Sequence, residues 1–263
     1  MKWRILTFSL LTFCFLSGAF EVRTVNPGII AMGEIMSVNS IFLNPTGIDN
    51  ENGFRLEFGY TNLYSLKGLK LWEASGGIKR DMFGVAVRFQ STGYSTYHES
   101  VNDVGFSYNH SELFTIAVNL SYYAIGITGY GEDREVGISV GSNIYPTQQL
   151  KTSLIFRNVN APKIAETHES LPQSFAFGFG WFPSNKWELE GELYKDTLYP
   201  FMTRFGISFL PVDFAKIMLG IQLNPDRYSG GIAFSLSKYS VIIATRSHMN
   251  LPHTLYFGCS LDF

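Results

Sequence analysis

Three glutamates at alternate positions, Glu188, Glu190 and Glu192, form a regular row of carboxyl groups. In an extended strand such side chains share one face and lie about 7 Å apart, so two of them could act as a general acid/base pair. A hydrated ladder of charges opposite Arg204 on the next predicted strand is the better interpretation, because adjacent hairpin strands bring opposite charges into register. The sequence therefore favours a structural ion-pair ladder over a catalytic dyad.

The histidines do not form a metal or catalytic site that the sequence can identify. His248 and His253 are separated by four residues that include Pro252, which is not the spacing of a helical metal pair. No cysteine or carboxylate cluster accompanies them, and no phosphate-binding loop or dinucleotide-binding motif occurs. We therefore predict no enzyme activity, no metal and no cofactor. A membrane-embedded hydrolase would need a nucleophile and a base that converge, which the spacing does not indicate.

The composition of the 263 residues excludes several classes of protein. Aromatic and charged residues each make up 16% of the chain, whereas soluble domains carry about 25% charged residues. A formal net charge of −2 provides no basic field for nucleic acid, so we expect no nucleic-acid partner. Hydrophobic residues, 46% of the total, are interspersed with polar and small ones, which disfavours a disordered chain, a coiled coil and a helical membrane bundle.

The start of the chain has the layout of a secretory signal peptide. Lys2 and Arg4 precede an apolar run over residues 5–16, and Ser17-Gly18-Ala19 places small residues at a cleavage site. An uncleaved N-terminal anchor is the alternative, although the run is short for a transmembrane helix. We predict that residues 1–19 are a signal peptide and that the chain is exported.

The rest of the sequence alternates with period two, which predicts an all-β fold. Over residues 83–89, for example, Phe and Val occupy every second position, with Gly, Ala and Arg between them. Turn signals separate about fourteen strands of about ten residues, the length that crosses a bilayer when a strand is tilted. The predicted strands are 53–62, 68–79, 82–91, 96–108, 112–125, 134–144, 149–158, 173–182, 186–196, 202–210, 214–223, 227–236, 239–247 and 253–263.

The distribution of polar residues predicts which β architecture this is. One face of the strands is aromatic and aliphatic almost without charge, and the other collects small and polar residues with Arg88, Arg157, Arg204 and Arg246. A soluble β-sandwich would carry charge on its outward face. The pattern instead favours an antiparallel transmembrane β-barrel whose apolar side chains face lipid and whose lumen is polar.

The last strand carries the most specific signal of the sequence. Leu255, Phe257, Leu261 and Phe263 alternate to the final residue. The series resembles the C-terminal signal by which outer-membrane barrels are recognised by their assembly machinery, since an aromatic-ended edge strand can pair before the barrel closes. We therefore expect the cell outer membrane as the location, with membrane lipid and the assembly machinery as partners. Cys259 in this strand is interpreted as a small lipid-facing hydrophobe.

Residues 20–51 precede the first clear strand and suggest a family. They contain Ala31-Met32-Gly33 and then Asn44-Pro45-Thr46-Gly47-Ile48, which looks like the "AMGG … NPAGL" start of FadL-like outer-membrane proteins, including PorV/PorQ-like proteins. The segment from Arg246 to Thr254 is similar to the final hairpin of that family. The resemblance implies about fourteen strands and an N-terminal plug, or hatch, inside the barrel.

The resemblance also implies a division of the chain and a set of hatch residues. Residues 20–51 would form the plug and residues 52–263 the transmembrane β-barrel, with Asn44, Pro45, Thr46 and Gly47 as hatch elements. Asn, Pro and Gly also favour tight turns, so a simple turn without a transport role is the alternative interpretation of these four residues.

Two functions follow from the resemblance. The first is passive uptake of hydrophobic small molecules, in which an apolar ligand enters from outside, binds near the plug and leaves when the plug shifts. The second is a PorV/PorQ-like barrel that does not transport but scaffolds or shuttles secretion proteins. A transporter needs an apolar site that reaches the plug, whereas a scaffold can have a filled lumen and exposed loop patches.

The longest polar connection, residues 159–172, is expected at the surface. It could be an extracellular lid or contact surface, although a solvated loop is the simpler interpretation.

Overall fold

The computed structural model of the chain describes residues 19–21, 24–38, 53–110, 113–164 and 169–263. Residues 1–18 of the predicted signal peptide lie outside the described residues. The predicted hatch residues Asn44, Pro45, Thr46 and Gly47 also lie outside them. In the parts of the chain that the structure describes, no helix is long and apolar enough to cross a membrane.

Fourteen of the sixteen described strands form one closed antiparallel barrel, in the order β1-β16-β15-β14-β13-β12-β11-β10-β7-β6-β5-β4-β3-β2. This confirms the predicted fold class and strand number. The barrel strands are β1 (Gly53–Asn62), β2 (Lys70–Arg80), β3 (Phe83–Tyr94), β4 (Tyr97–His110), β5 (Phe114–Ile127), β6 (Gly131–Thr147), β7 (Leu150–Arg157), β10 (Ser174–Ser184), β11 (Trp187–Asp196), β12 (Met202–Val212), β13 (Ala215–Leu223), β14 (Arg227–Leu236), β15 (Tyr239–Arg246) and β16 (Thr254–Asp262).

Strand β3 shows how the period-two pattern divides the wall into two faces. Phe83 and Phe89 are 62% and 50% exposed, whereas Arg88 between them is 1% exposed. The apolar side chains therefore point away from the barrel and the polar ones into the lumen. This arrangement is the reverse of a soluble sandwich and is that of a transmembrane barrel, as the sequence predicted.

Strands β1 and β16 close the barrel. Phe54 and Phe263 exchange two backbone hydrogen bonds, with N···O distances of 3.0 and 2.9 Å. The pairing continues to Thr61 and Tyr256, so the last strand has a partner on both edges. Leu255 and Phe257 of β16 face outward, and Phe263, which directly follows the strand, is also exposed. Recognition by an assembly machinery stays a prediction.

The two rims of the barrel differ. At the rim where the chain ends, successive strands are joined by two or three residues, and we call this the short-turn rim. The opposite rim, the long-loop rim, carries the longer connections, including residues 63–69, 158–173 and 247–253. The strands of one half also lengthen progressively, to 17 residues in β6, beside only 8 in β7. At the long-loop rim, strands β4–β6 therefore extend farther out than the neighbouring strand β7.

The connection between β7 and β10 is not a simple solvated loop. Strands β8 (Lys163–Ile164) and β9 (Glu169–Ser170) pair in it as a small antiparallel hairpin. Ile164 and Leu171 are each only 2% exposed, because they pack against the inward-facing Val101 and Tyr123. The prediction of a solvated loop is therefore wrong, because two apolar side chains of this otherwise polar connection are buried against the barrel wall.

Candidate functional site

The lumen contains the chain's own N-terminal part. Residues 24–38, here called the luminal segment, begin beside β1 and β2 and continue past β16 to β12 until they reach β10. Helix α1 (Pro27–Ala31) is its one helical turn. The helix begins there because Asn26 Oδ1 accepts hydrogen bonds from the backbone N–H groups of Gly28 and Ile29, and because Pro27 supplies a helical φ. Asn26 Nδ2 also donates to Glu57 Oε2 of β1 at 2.9 Å.

Glycines in the wall make room for the luminal segment. A Cβ atom at Gly220 would lie 2.0 Å from Gly33 N, and one at Gly206 would lie 2.6 Å from Met32 O. A Cβ at Gly178 would lie 2.0 Å from Ser37 Oγ. Any side chain at these places would collide with the segment. The wall is therefore shaped around it, over strands β10, β12 and β13.

The amino end of the luminal segment is bound by a buried carboxylate. Glu73 of β2 accepts hydrogen bonds from Val25 N at 3.0 Å and from Thr24 Oγ1 at 3.2 Å. Arg88 Nη1 of β3 lies 3.8 Å from the same carboxylate, and Arg88 Nε donates to Asp103 Oδ2 of β4 at 2.6 Å. Glu73, Arg88 and Asp103 are all at least 97% buried, so one arginine of the wall lies between two buried carboxylates here.

The carboxyl end is bound by a second buried ion pair. Glu192 Oε2 of β11 accepts hydrogen bonds from Met36 N at 3.0 Å and Ser37 N at 2.8 Å. Arg204 Nη1 of β12 donates to Glu192 Oε1 at 2.6 Å and to the carbonyl oxygen of Glu34 at 2.8 Å. The Arg204 guanidinium also lies over the Tyr194 ring, 4.9 Å from its centroid. One arginine thus joins two wall strands to the segment.

The segment contributes a charge of its own at Glu34. Its carboxylate accepts a hydrogen bond from Arg246 Nη1 of β15 at 2.7 Å. The Arg246 guanidinium lies 5.5 Å from the centroid of the Tyr256 ring, and Tyr256 is 1% exposed. Nearby, in the loop between β15 and β16, burial together with Arg227 and Arg246 lowers the pKa of His248.

Apolar side chains in the lumen form three main clusters. The first packs α1 and its neighbours against β13–β16 and against Leu63 and Leu71 near the long-loop rim. The second joins the β8–β9 hairpin to β4 and β5, and Phe20 meets Tyr123 edge-on in it, with ring centroids 5.0 Å apart. The third lies at the long-loop rim of β7–β12. Its buried members are Ile155, Ala176, Tyr194 and Met202.

The lumen becomes polar toward the short-turn rim. Glu188 Oε2 accepts hydrogen bonds from Lys216 Nζ at 2.6 Å and from Ser208 Oγ at 2.9 Å. Thr115 Oγ1 donates to Asn109 Oδ1 at 2.6 Å across β4 and β5. Polar side chains therefore line the lumen near the short-turn rim, whereas the second and third apolar clusters lie near the long-loop rim.

The structure tests several of the residues that the sequence singled out. The glutamate ladder faces the lumen, and Glu192 pairs with Arg204 in register, as the ion-pair interpretation predicts. Glu190 and Glu192 are each only 3% exposed, so the predicted hydration of the ladder is wrong at these two positions. His248 and His253 lie in the β15–β16 loop. In the described part of the chain, no group of three or more His, Cys, Asp and Glu side chains is arranged to hold a metal ion.

The chain contains one catalytic sequence pattern, so an expectation that no Gly-x-Ser-x-Gly pattern occurs is wrong. Residues 137–141 spell Gly-Ile-Ser-Val-Gly, the Gly-x-Ser-x-Gly pattern of serine hydrolases. That chemistry requires the serine on a sharp turn between a strand and a helix. Ser139 instead lies within β6 and accepts a hydrogen bond from the backbone N–H of Asn158 at 3.4 Å. The pattern here does not form a nucleophile elbow.

Other contacts of the site were missed. The sequence placed Arg88 on the luminal face but did not predict its contacts with Glu73 and Asp103, although charged residues at inward positions of neighbouring predicted strands were a signal for them. Glu34 has no neighbouring pattern in the sequence that predicts its pairing with Arg246.

Comparison with known proteins reveals a likeness in fold. No protein-family model matches the chain, and no curated protein matches its sequence. The CymD monoaromatic hydrocarbon channel is 10% identical with a TM-score of 0.68, over 93% of this chain and 99% of CymD. A Pseudomonas aeruginosa FadL homologue is 9% identical with a TM-score of 0.67, over 92% and 98%. The Pseudomonas putida toluene transporter TodX is 9% identical with a TM-score of 0.63, over 89% and 96%. The predicted FadL-like barrel is thus confirmed as a fold.

Proposed function

We propose that the protein is an outer-membrane barrel through which hydrophobic small molecules pass by diffusion. The observation that carries this proposal is the position of the apolar clusters in the lumen relative to the luminal segment. Apolar clusters lie at the long-loop rim, on one side of a luminal segment that is bound to the wall by Glu73, Glu192 and Arg204. Three solved structures of similar fold, those of the CymD monoaromatic hydrocarbon channel, the toluene transporter TodX and a FadL homologue, support the proposal.

The route begins at the long-loop rim, which faces outward from the cell. An apolar molecule can replace the contacts that Ile164 and Leu171 of the β8–β9 hairpin make with Val101 and Tyr123, because these contacts are non-directional. It then passes the third cluster and meets the luminal segment, whose backbone hydrogen bonds to wall carboxylates must break before the molecule can move on. The polar lumen beyond offers it no equivalent site, so it leaves at the short-turn rim.

Uptake by whole cells tests this function. In a bacterial strain that lacks its own hydrocarbon transporters, we expect the protein to raise the initial rate of toluene uptake at least about fivefold over empty vector. It should leave the uptake of glycerol, a polar solute of similar size, unchanged. A rise in both rates would indicate a general pore, and no rise in either would contradict transport.

A matched pair of variants locates the route. Ala176→Trp adds a large side chain within the third cluster, where Ala176 is 5% exposed, and should abolish the gain in toluene uptake. Ala124→Trp makes the same change at a half-buried position on the outer face of β5 and should preserve it. Equal uptake by the two variants would contradict a route past the third cluster.

The scaffold hypothesis has no comparable support. The buried apolar clusters of the described residues face the lumen and not a partner outside the barrel. We therefore propose transport and treat a co-purifying secretion protein as the result that would favour the scaffold.

A further inference from the structure

The carboxylate of Glu99 is buried near the long-loop rim. Glu99 is 8% exposed and lies one inward position before Val101 in β4. Glu73 and Glu192 of the same lumen each lie beside an arginine. Among the described residues, by contrast, no lysine, arginine or histidine forms an ion pair with Glu99, and the charged side chain that acts on it is the negative Glu21. A buried carboxylate is costly unless a cation reaches it.

Two donors reach Glu99, and both contact Oε1. One is the hydroxyl of Tyr97, which is neutral. The other is the backbone nitrogen of Phe20, at 3.0 Å. That nitrogen is also neutral while it belongs to the peptide bond with Ala19, which is the bond that the sequence predicts to be cleaved. After cleavage it is an α-amino group and is mostly protonated at pH 7, because the ordinary pKa of such a group is about 7.7–8.0.

The side chain of Phe20 holds this nitrogen in place. Its ring meets the Tyr123 ring edge-on, with centroids 5.0 Å apart, and packs against the second apolar cluster as Ile125 does. Across β4 and β5, Ile125 is paired with Glu99 and Tyr123 is paired with Val101. The ring and the nitrogen of Phe20 therefore contact neighbouring positions of the same wall.

The backbone of Phe20 also favours a chain that begins there. Its φ is 62°, in the left-handed region that residues with a large side chain rarely adopt. The carbonyl group of the preceding residue is one of the groups that restrict φ. A chain that begins at Phe20 has no such carbonyl group, so it adopts this conformation more easily. The next residue is held as well, because Tyr199 Oη donates to Glu21 Oε1 at 2.6 Å.

We propose that Glu99 is the binding site for the α-ammonium group of the mature chain, formed when the signal peptide is cleaved after Ala19. Hydrolysis of the Ala19–Phe20 bond by the peptidase of the export machinery consumes one water molecule. It leaves a carboxylate on Ala19 and an amine on Phe20, and the carboxyl proton goes to the amine. The ammonium then makes a charge-assisted hydrogen bond to the buried carboxylate.

The contact is therefore completed by processing, and it is selective for Phe20 as the first residue. In the uncleaved chain the same nitrogen is a neutral amide. A start one residue earlier would move the charge by about 3.8 Å along the chain, away from Glu99. The proposal rests on the predicted cleavage site and does not depend on transport.

Acetylation of the α-amine in protein purified from outer membranes tests the site. The intact mass should show a chain that begins at Phe20. At pH 7 the N-hydroxysuccinimide ester of acetic acid prefers the α-amine to lysine side chains, because more of it is deprotonated. We expect this amine to be acetylated at least about tenfold more slowly in the native protein than in Glu99→Gln, as measured by mass spectrometry of the N-terminal peptide. Glutamine retains the shape and an acceptor oxygen, so only the charge is lost.

Glu132→Gln is the matched control, because it makes the same change at an exposed position of β6 at the long-loop rim, and it should be acetylated as slowly as the unchanged protein. In denaturant all three proteins should react at the same rate. Retention of the compact, heat-modifiable band on a denaturing gel shows that each variant is folded. Equal rates for the native protein and folded Glu99→Gln would overturn the proposal, and so would a mature chain that begins at another residue.

A chain refolded in detergent with one extra methionine before Phe20 gives a second measurement that does not need a change at Glu99. Its amine lies one residue away from the carboxylate and should react at least about tenfold faster than that of the exported protein. This comparison decides the matter if Glu99→Gln does not fold. Slow acetylation of the extended chain would show that the wall shields any N-terminus, and this would contradict a site for the ammonium of Phe20.

Discussion

The two ends of the luminal segment are bound to the wall by the same kind of group but in different ways. At each end a wall carboxylate accepts backbone N–H groups, Glu73 from Val25 and Glu192 from Met36 and Ser37. At the amino end the arginine that balances the carboxylate, Arg88, is paired directly with Asp103 of the wall.

At the carboxyl end the charges of the wall and the segment are joined. Arg204 donates both to Glu192 and to the carbonyl oxygen of Glu34, while the Glu34 carboxylate binds Arg246. The amino end can therefore detach and leave Arg88 paired, whereas detachment at the carboxyl end separates the Glu34 carboxylate from Arg246 and leaves this wall arginine without it. Because buried unpaired charges are costly, the carboxyl end should be the last part of the segment to leave the wall.

Loss of the Arg204 side chain should have the largest effect. Arg204→Leu leaves Glu192 buried without its cation, which costs about 3–5 kcal/mol when one partner of a buried pair is removed. We expect the urea midpoint of unfolding to fall. Hydrogen exchange should quicken at the amides of Met36 and Ser37 far more than at that of Val25.

The double variant Arg204→Leu with Glu192→Leu is the control for charge. With both partners replaced by apolar groups, no unpaired charge stays in the wall, so part of the stability should return while Met36 and Ser37 exchange as fast as in the single variant. Fast exchange at Val25 in either variant would show that the two ends are not independent.

A side chain at Gly220 should displace the middle of the segment without changing any charge. Its Cβ would lie 2.0 Å from Gly33 N, so Gly220→Val should destabilise the folded protein by about 1–3 kcal/mol through overpacking. The segment should become accessible to proteolysis while the barrel strands stay protected. Gly230→Val is the matched control, because a Cβ at Gly230 would meet only Leu219 and Met218 on the neighbouring strand, at 3.3 Å or more.

Loss of the Glu73 charge should affect only the amino end. Glu73→Gln retains a carbonyl oxygen that can accept one hydrogen bond, and Arg88 keeps Asp103 as its partner. We expect a loss of about 1–2 kcal/mol, the value of weakened hydrogen bonds to a charged group. Exchange at Val25 should increase while exchange at Met36 and Ser37 does not. An effect as large as that of Arg204→Leu would remove the distinction between the two ends.

The barrel could be predicted from the sequence because its signal is repetitive. Alternation in each strand assigns residues such as Phe89 and Arg88 to opposite faces, and turn residues at short intervals give the strand number. The β8–β9 hairpin was missed because two strands of two residues have no detectable period, and only tertiary packing of Ile164 and Leu171 reveals it.

The candidate site could be predicted only where a contact follows from register. Glu192 and Arg204 lie on adjacent strands, so hairpin geometry brings them together. Contacts between the wall and the luminal segment join residues far apart in sequence, such as Glu34 and Arg246. No periodic pattern connects these residues, and only the path of the segment through the lumen brings them into contact.

The smallest predicted effect is a pH dependence of hydrogen exchange in the loop over residues 247–253. This loop follows Arg246, which binds Glu34 of the luminal segment. His248 Nδ1 accepts the backbone N–H groups of Asn250 and Leu251 at 3.2 Å, so the neutral ring holds the loop that follows β15 and Arg246. Because the pKa of His248 is lowered in the folded protein, its contribution is present above the ordinary value of about 6.5 and is lost as the pH falls. Hydrogen exchange in residues 247–253, corrected for intrinsic rates, should therefore quicken between pH 8 and pH 5, whereas exchange at Val25 should not. His248→Gln should abolish this difference, and a pH dependence that persists in that variant would assign it to another group.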